Sequence, residues 1–313
     1  MVKLKIDLPQ GFLNAETRCD YTINEKMKEV WAVELDLLVE FDRVCKKHNI
    51  KYVASGGTML GAVRHHGYIP WDDDIDLMMT REEFEKLCSI ASSEFKHPYF
   101  FQTEDTDPGY MRFLARLRNS ETTGIQKYEA ASHYKYNQGI FIDIFPMDAV
   151  IENEVLLEKQ HQDLENLRIK IFKACKWGHH LPYTSTLGYK LKKNFIQPLF
   201  GNLIEKYYNV NKLYHQYIDI CKRYNNNNTE YISKLSFIFD NKANYVKRKD
   251  MEEIINVDFE FLKIPIVANY DEVLKTKFGN YMEFVKAPNY HGEMIFDTDI
   301  SYKEYFKTHS FNC

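Results

Sequence analysis

Gly56-Gly57-Thr58-Met59-Leu60-Gly61-Ala62-Val63-Arg64-His65-His66-Gly67-Tyr68-Ile69-Pro70-Trp71-Asp72-Asp73-Asp74-Ile75-Asp76-Leu77-Met78-Met79 is the stretch on which the reading of this chain turns. A glycine pair opens a short helix-like run, and four carboxylates lead into an apolar strand. Crowded carboxylates repel, and a folded protein keeps such a group mainly where a cation sits among them. Side chains two apart on an extended chain face the same way, so Asp74 and Asp76 point together, with Ile75 and Leu77 opposite. Pro70 argues that the strand begins late, which leaves Asp72 off that face. Hard oxygen ligands in a small cluster suit Mg2+ or Mn2+. The competing reading is a solvated acidic turn ahead of a strand.

Upstream, Ile50-Lys51-Tyr52-Val53-Ala54 is rich in β-formers and predicts a strand. Gly56 and Gly57 end it, and Thr58 to Arg64 suits a short helix. Glycines let backbone amides approach an anion closely, and a helix N-terminus favours negative charge. A tight strand-to-helix turn without a ligand is the alternative. Strand, Gly-Gly, helix and strand with Asp-x-Asp is the pattern of the nucleotidyltransferase fold. The whole run closely resembles the LicD family, whose fukutin-related members share the same core. The family string Gly-Gly-Thr-x-Leu-Gly-Ala-x-Arg-His-x-Gly-x-Ile-Pro-Trp-Asp-Asp-Asp-Ile-Asp is present almost letter for letter.

The resemblance implies a metal-dependent transferase that moves a substituted phosphate from a nucleotide diphosphate donor to a sugar hydroxyl. The best-known bacterial members are phosphocholine transferases using CDP-choline, and their glycan acceptors are often lipid-linked. Mapped onto this chain, Asp74 and Asp76 are expected to bind one or two metal ions. Gly56, Gly57 and Thr58 are expected to hold the diphosphate. Arg64 is a candidate phosphate contact, with a salt bridge to the nearby aspartates as the alternative. Trp71 could stack on a base, face a quaternary ammonium or wedge into the core. Two rival readings stay open: an ordinary nucleotidyltransferase or a pentitol- or glycerol-phosphate transferase, and a catalytically silent glycan-binding protein.

A second informative stretch is Gly139-Ile140-Phe141-Ile142-Asp143-Ile144-Phe145-Pro146-Met147-Asp148. Asp143 is an acid in a run of large apolar residues, and an unpaired buried carboxylate would cost several kcal/mol. A metal already held by Asp74 and Asp76 is one partner for it. A helix cap or an arginine pair is the other, which suits Asp148 better. The segment resembles the family's Ile-Asp-Ile-Phe-Pro, and there Asp143 takes the place of the third carboxylate and of the proton acceptor. Between the two stretches, Met111 to Arg118 alternates, with Arg112, Leu114, Arg116 and Arg118 on one face. Arginines two apart make an anion-binding surface, or else a solvated strand face. The family carries a basic residue here, which makes Arg116 a donor-binding candidate.

The expected fold class is α/β (α+β): a nucleotidyltransferase-like core sheet with flanking helices and a helical C-terminal half. Residues 1–24 form a lead-in, 25–150 the catalytic core, and 151–313 a mostly helical region packing on the core, a candidate acceptor side. Thr22-Ile23-Asn24-Glu25 predicts a capping box before a helix over Met27 to Val44. Helices are also predicted over Arg81–Phe95, Glu152–Lys176, Thr184–Tyr208, Val210–Tyr224 and Asn269–Phe278, the last stopped by Gly279. Strands are predicted at Tyr99–Gln102, Tyr231–Phe239 and Phe259–Val267, and a polar loop over 120–137. Ala287-Pro288-Asn289-Tyr290-His291 departs from the family's proline pair, and Asp297 and Asp299 stand where basic residues are expected, which bears on donor or acceptor specificity.

Length allows one or two domains with a substantial core. With 41 basic and 45 acidic residues the net charge is −4, and no basic excess supports nucleic-acid binding. The six cysteines show neither metal-ligand nor disulfide-framework spacing, which suits free thiols. Met1 to Pro9 lacks the apolar core of a signal peptide, and no run approaches a membrane span. A cytoplasmic protein is expected, with peripheral contact to the inner membrane face compatible with a lipid-linked acceptor.

Overall fold

A computed structural model describes residues 1–130, 134–177, 209–237, 242–285 and 294–309, with the isolated positions 199 and 203. The chain opens with a short hairpin, β1 (Glu16–Arg18) and β2 (Tyr21–Ile23), and then a long helix, α1 (Glu25–Lys47). Thr22 lies within β2, so the cap falls to Asn24, whose side chain accepts the Met27 N–H. The middle of α1 is buried all round, acids included. Asp36 there accepts the Lys5 and Ile6 amides and the Tyr99 hydroxyl, which ties the lead-in to the helix.

The core sheet has seven strands and one organising member, β8 (Ile140–Val150), whose every residue is buried. On one side β8 pairs in parallel with β4 (Asp76–Thr80), and β4 pairs with the short β3 (Val53–Ala54). On the other side it pairs first with β6 (Ala115–Asn119), over 140–144, and then with β9 (Tyr231–Ser233), over 148–150. Pro146 falls at the changeover between those two partners. A proline has no N–H to give a ladder, and among the described residues no strand lies beside that edge of β8 at this position. The sheet ends in β5 (Tyr99–Gln102) beside β6 and β10 (Val246–Lys247) beside β9.

Three helices flank this sheet near the acids: α1, α2 (Gly56–His65) and α3 (Arg81–Glu94). The predicted loop over 120–137 instead contains β7 (Thr123–Gln126) and a single turn, α4 (Lys127–Ala130). Beyond the core, α5 (Glu154–Trp177) and α6 (Val210–Lys222) form the expected helical layer, and the predicted helix at 184–208 lies outside the described residues. Their packing makes a second apolar cluster, with Leu164, Ile171, Tyr217 and Cys221 around Phe113. The one strand predicted at 259–267 is a hairpin, β11 (Ile254–Phe259) and β12 (Leu262–Val267), turned at Glu260, whose φ is +54°. Then come α7 (Tyr270–Phe278), β13 (Met294–Asp297) and α8 (Tyr302–Thr308), with β13 pairing to β7. The C-terminal half therefore contributes strands as well as helices, two of them to the core sheet itself.

Candidate active site

The strand β4 begins at Asp76, as Pro70 implies, and residues 72–75 form a loop ahead of it. Three consecutive carboxylates in a loop can turn toward a common point. Asp72, Asp73 and Asp74 do so, with one oxygen of each within 4.8 Å of the others. This cluster differs in membership from the expected Asp74–Asp76–Asp143 set, of which strand periodicity points to the first two and the apolar run around Asp143, with the family resemblance, to the third. Asp76 and Asp143 stand next to it as register partners across β4 and β8, on the same face of the sheet. The loop is fixed from both sides. Trp31, fully buried in α1 and stacked on Tyr68 at 4.4 Å, donates its indole N–H to the Asp72 carbonyl at 3.1 Å. The Asp143 N–H donates to the Ile75 carbonyl at 2.8 Å.

Burial, and then the neighbouring Asp76, Asp72, Asp73 and Asp143, hold the Asp74 carboxyl well above the usual carboxylate range. The same crowding affects Glu34, a buried acid of α1 that receives the Tyr68 hydroxyl at 3.0 Å, and burial again is the main cause. A proton on Asp74 and a cation among the acids are alternative ways to relieve the same repulsion.

The glycine pair lies over these acids, inside the first turn of α2 rather than before it. A Cβ at Gly57 would sit 2.7 Å from Asp72 Oδ2, and one at Gly56 would sit 3.3 Å from Asp76 Oδ2. Only glycine lets the acids come this close to the helix start. Ser55, the N-cap residue, makes no capping bond with its side chain, so the first-turn amides lack that acceptor. Thr58 turns its hydroxyl inward, toward β4. Its hydroxyl accepts the Asp76 N–H at 2.8 Å and so joins α2 to the start of β4.

Arg116 and Asp143 are also register partners, and Gln102 continues the same rung on β5. The Arg116 guanidinium bonds Asp143 through Nε–Oδ1 at 2.6 Å, with Nη2–Oδ2 looser at 3.4 Å. It also stacks on Phe141 at 3.6 Å. Of the partners weighed for Asp143, the structure therefore supplies the arginine. The arginine face of β6 is not solvated: Arg116 and Arg118 are both buried, and Arg118 bonds Gln102 and the Gly139 carbonyl. Asp148 has its expected arginine partner, Arg81, at 2.6 and 2.8 Å. Arg64 points elsewhere, to the Tyr281 and Glu283 carbonyls and over the Phe284 ring. Trp71 is half-buried and packs edge-on to Tyr21 at 6.1 Å.

Two lysines that sequence reasoning passed over reach the site from the C-terminal half. Lys234, just after β9, is 6% exposed and holds its ammonium 3.5 Å from the centre of the Phe145 ring. Phe145 is two residues from Asp143 on the same face of β8. Burial, which outweighs the pull of Asp76, Asp143 and Asp74, lowers the Lys234 pKa to about 8. Lys277, near the end of α7, places Nζ 3.6 Å from where a Gly56 Cβ would be. Neither lysine sits in a motif, and each is brought in by tertiary packing alone. A small cavity of about 20 Å³ remains between Asp73, Asp74, Asp143, Arg116 and the Gln126–Phe296 side of the β7–β13 ribbon.

The LicD/FKTN/FKRP nucleotidyltransferase domain matches residues 49–192. Over 265 residues, 82% of this chain and 91% of the relative, the sequence is 27% identical to the lipopolysaccharide cholinephosphotransferase LicD of Haemophilus influenzae. A LicD-type domain thus matches just under half of the chain, and the similarity to a LicD protein runs over most of its length. The chain is an enzyme of the phosphotransferase class. Shorter matches link it to uncharacterized proteins of Rickettsia typhi, 44% identical over 64 residues, and Rickettsia prowazekii, 47% identical over 54 residues. Those cover 20% and 17% of the chain, and 19% and 20% of the relatives. Among the described residues, no helix is long and apolar enough to cross a membrane.

Proposed function

We propose that this chain transfers phosphocholine from CDP-choline to a sugar hydroxyl of a cell-surface glycan or its lipid-linked precursor, using Mg2+ or Mn2+. The observation that carries this reading is the convergence of five carboxylates beneath a glycine-opened helix N-terminus. The cholinephosphotransferase of Haemophilus influenzae supports the choice of phosphocholine. The residues fit a divalent cation: three carboxylates within 4.8 Å, a glycine where any Cβ would displace Asp72, and Asp74 pushed toward its neutral form by burial and the neighbouring acids. Asp74, Asp76 and Asp143 are the proposed ligands, with Asp72 and Asp73 close enough to share. Bound there, the ion would neutralise charge on the transferring phosphoryl group.

The chain's own residues do the rest. Gly56, Gly57 and Thr58 present the helix start to the diphosphate. Arg116 orients Asp143 through Oδ1, and the more loosely held Oδ2 accepts the proton of the attacking sugar hydroxyl. The hydroxyl oxygen forms a bond to the choline-side phosphorus, the bond to the bridging oxygen breaks, and CMP leaves with that electron pair. Four free cysteines among the described residues suit the reducing cytoplasm proposed for the enzyme.

Calorimetry with magnesium tests the reading by comparing CDP-choline, CDP-ribitol, CDP-glycerol and CTP. Metal-dependent preference for CDP-choline supports it. Preference for another CDP-alcohol changes the group moved, and preference for CTP alone points to nucleotidyl transfer. Asp76→Asn and Asp143→Asn should each abolish turnover in a folded protein, and full activity in either would remove that residue from the site.

A further inference from the structure

Like charges that converge inside a protein need a reason. Lys234 and Lys277 come from separate elements; Lys277 bears on the Lys234 ammonium, and Asp76 bears on both lysines. Lys234 is buried, and its ammonium rests on an aromatic ring and makes no hydrogen bond or ion pair among the described residues. A buried ammonium with its donors unspent is costly unless a ligand uses them. Lys277 Nζ lies over the first residue of α2, on the same side as the Asp76 carboxylate. The helix start, two ammonium groups and a carboxylate cluster thus border one space. Its chemistry is that of an anion held next to a cation site.

We propose that Lys234 and Lys277, with the first-turn amides of α2, form the subsite for the diphosphate of the nucleotide donor. The inference rests on the donor being a nucleoside diphosphate derivative, and it adds which residues hold that group. Lysine suits the task, because its ammonium meets phosphate as a point charge without demanding a fixed planar geometry. The rival explanation is that the lysines only offset the acids. The two differ in what removal does: a pure counter-charge, once removed, tightens metal binding and leaves phosphate affinity to follow the metal.

The test is calorimetry on the full chain with magnesium, using CDP, CMP and inorganic pyrophosphate as probes, for wild type, Lys234→Met and Lys277→Gln. Manganese titration of each variant, followed by electron paramagnetic resonance, supplies the metal affinity, and Lys234→Arg guards against a packing effect of the buried substitution. The expected result is at least a tenfold loss of CDP and pyrophosphate affinity in each variant, a smaller loss for CMP, unweakened manganese binding and partial retention in Lys234→Arg. Unchanged CDP and pyrophosphate affinity would overturn the proposal, as would a loss that tracks manganese affinity. Lysine-dependent binding of pyrophosphate and CDP without transfer from any CDP-alcohol would uphold the subsite and refute the transferase reading. CDP-choline binding that ignores both lysines would do the reverse.

Discussion

Asp74→Asn offers the sharpest check on the acid cluster. The carboxylate oxygens of Asp72, Asp73 and Asp74 lie within 4.8 Å of one another. At an effective dielectric constant of ~20, one such ionised pair repels by about 3.5 kcal/mol. Asp74 faces two of these pairs, and the wild type relieves part of the repulsion by keeping a proton, since the Asp74 pKa is raised above its unfolded value. The sign follows. Between the unfolded and folded pKa values the native state binds the extra proton, so stability falls as pH rises through that window. Asn cannot ionise and escapes the loss. Without metal, Asp74→Asn should melt near wild type at about pH 4, and its advantage should grow with pH to about 1–3 kcal/mol, after allowing for the altered hydrogen bonding of the amide. That corresponds to about 2–6 °C in a chain of this size. Scanning calorimetry with a chelator, repeated with magnesium, measures it. Magnesium should raise the wild-type melting temperature and leave Asp74→Asn nearly unmoved. A variant that melts below wild type at neutral pH in chelator would refute the electrostatic account of the cluster.

Further consequences are open to direct measurement. Gly57→Ala adds a Cβ 2.7 Å from Asp72 Oδ2; the helix tolerates alanine, so the fold should persist while turnover falls about tenfold or more, seen by comparing melting curves with steady-state rates. Arg81→Met leaves Asp148 buried without its guanidinium and should cost about 3–5 kcal/mol in denaturant unfolding, with activity per folded molecule retained. Trp31→Phe removes the N–H that holds the Asp72 carbonyl; about 1 kcal/mol of stability should go with it, and manganese affinity should drop.

The parts of this fold written locally were legible. The helices at 25–47, 81–94 and 270–278 follow from apolar period and end signals, and the strand over Tyr99–Gln102 from its β-formers. The acids were legible as a group because four of them stand within five residues. Their partners were not. Arg116 meets Asp143 only because β6 and β8 pair in a register that no local pattern states. Alternation over Met111–Arg118 suggested one open face, yet β6 is covered on both sides, so its arginines are internal. Lys234 and Lys277 carried no signal beyond their type, since their meaning depends on β9 joining the end of β8 and on α7 reaching α2.

The two aspartates of β8 also guard the assembly of the sheet. Asp143 and Asp148 are five residues apart, an odd number, so they leave the strand on opposite faces, and each finds an arginine there. A slip of β8 by one residue would carry both acids away from their guanidinium groups and into apolar layers at once, against all the main-chain bonds it preserved. Misregistered sheets are thereby rejected by charge before any substrate arrives, and a chain that has closed its sheet has of necessity also completed the Asp76–Asp143–Arg116 rung.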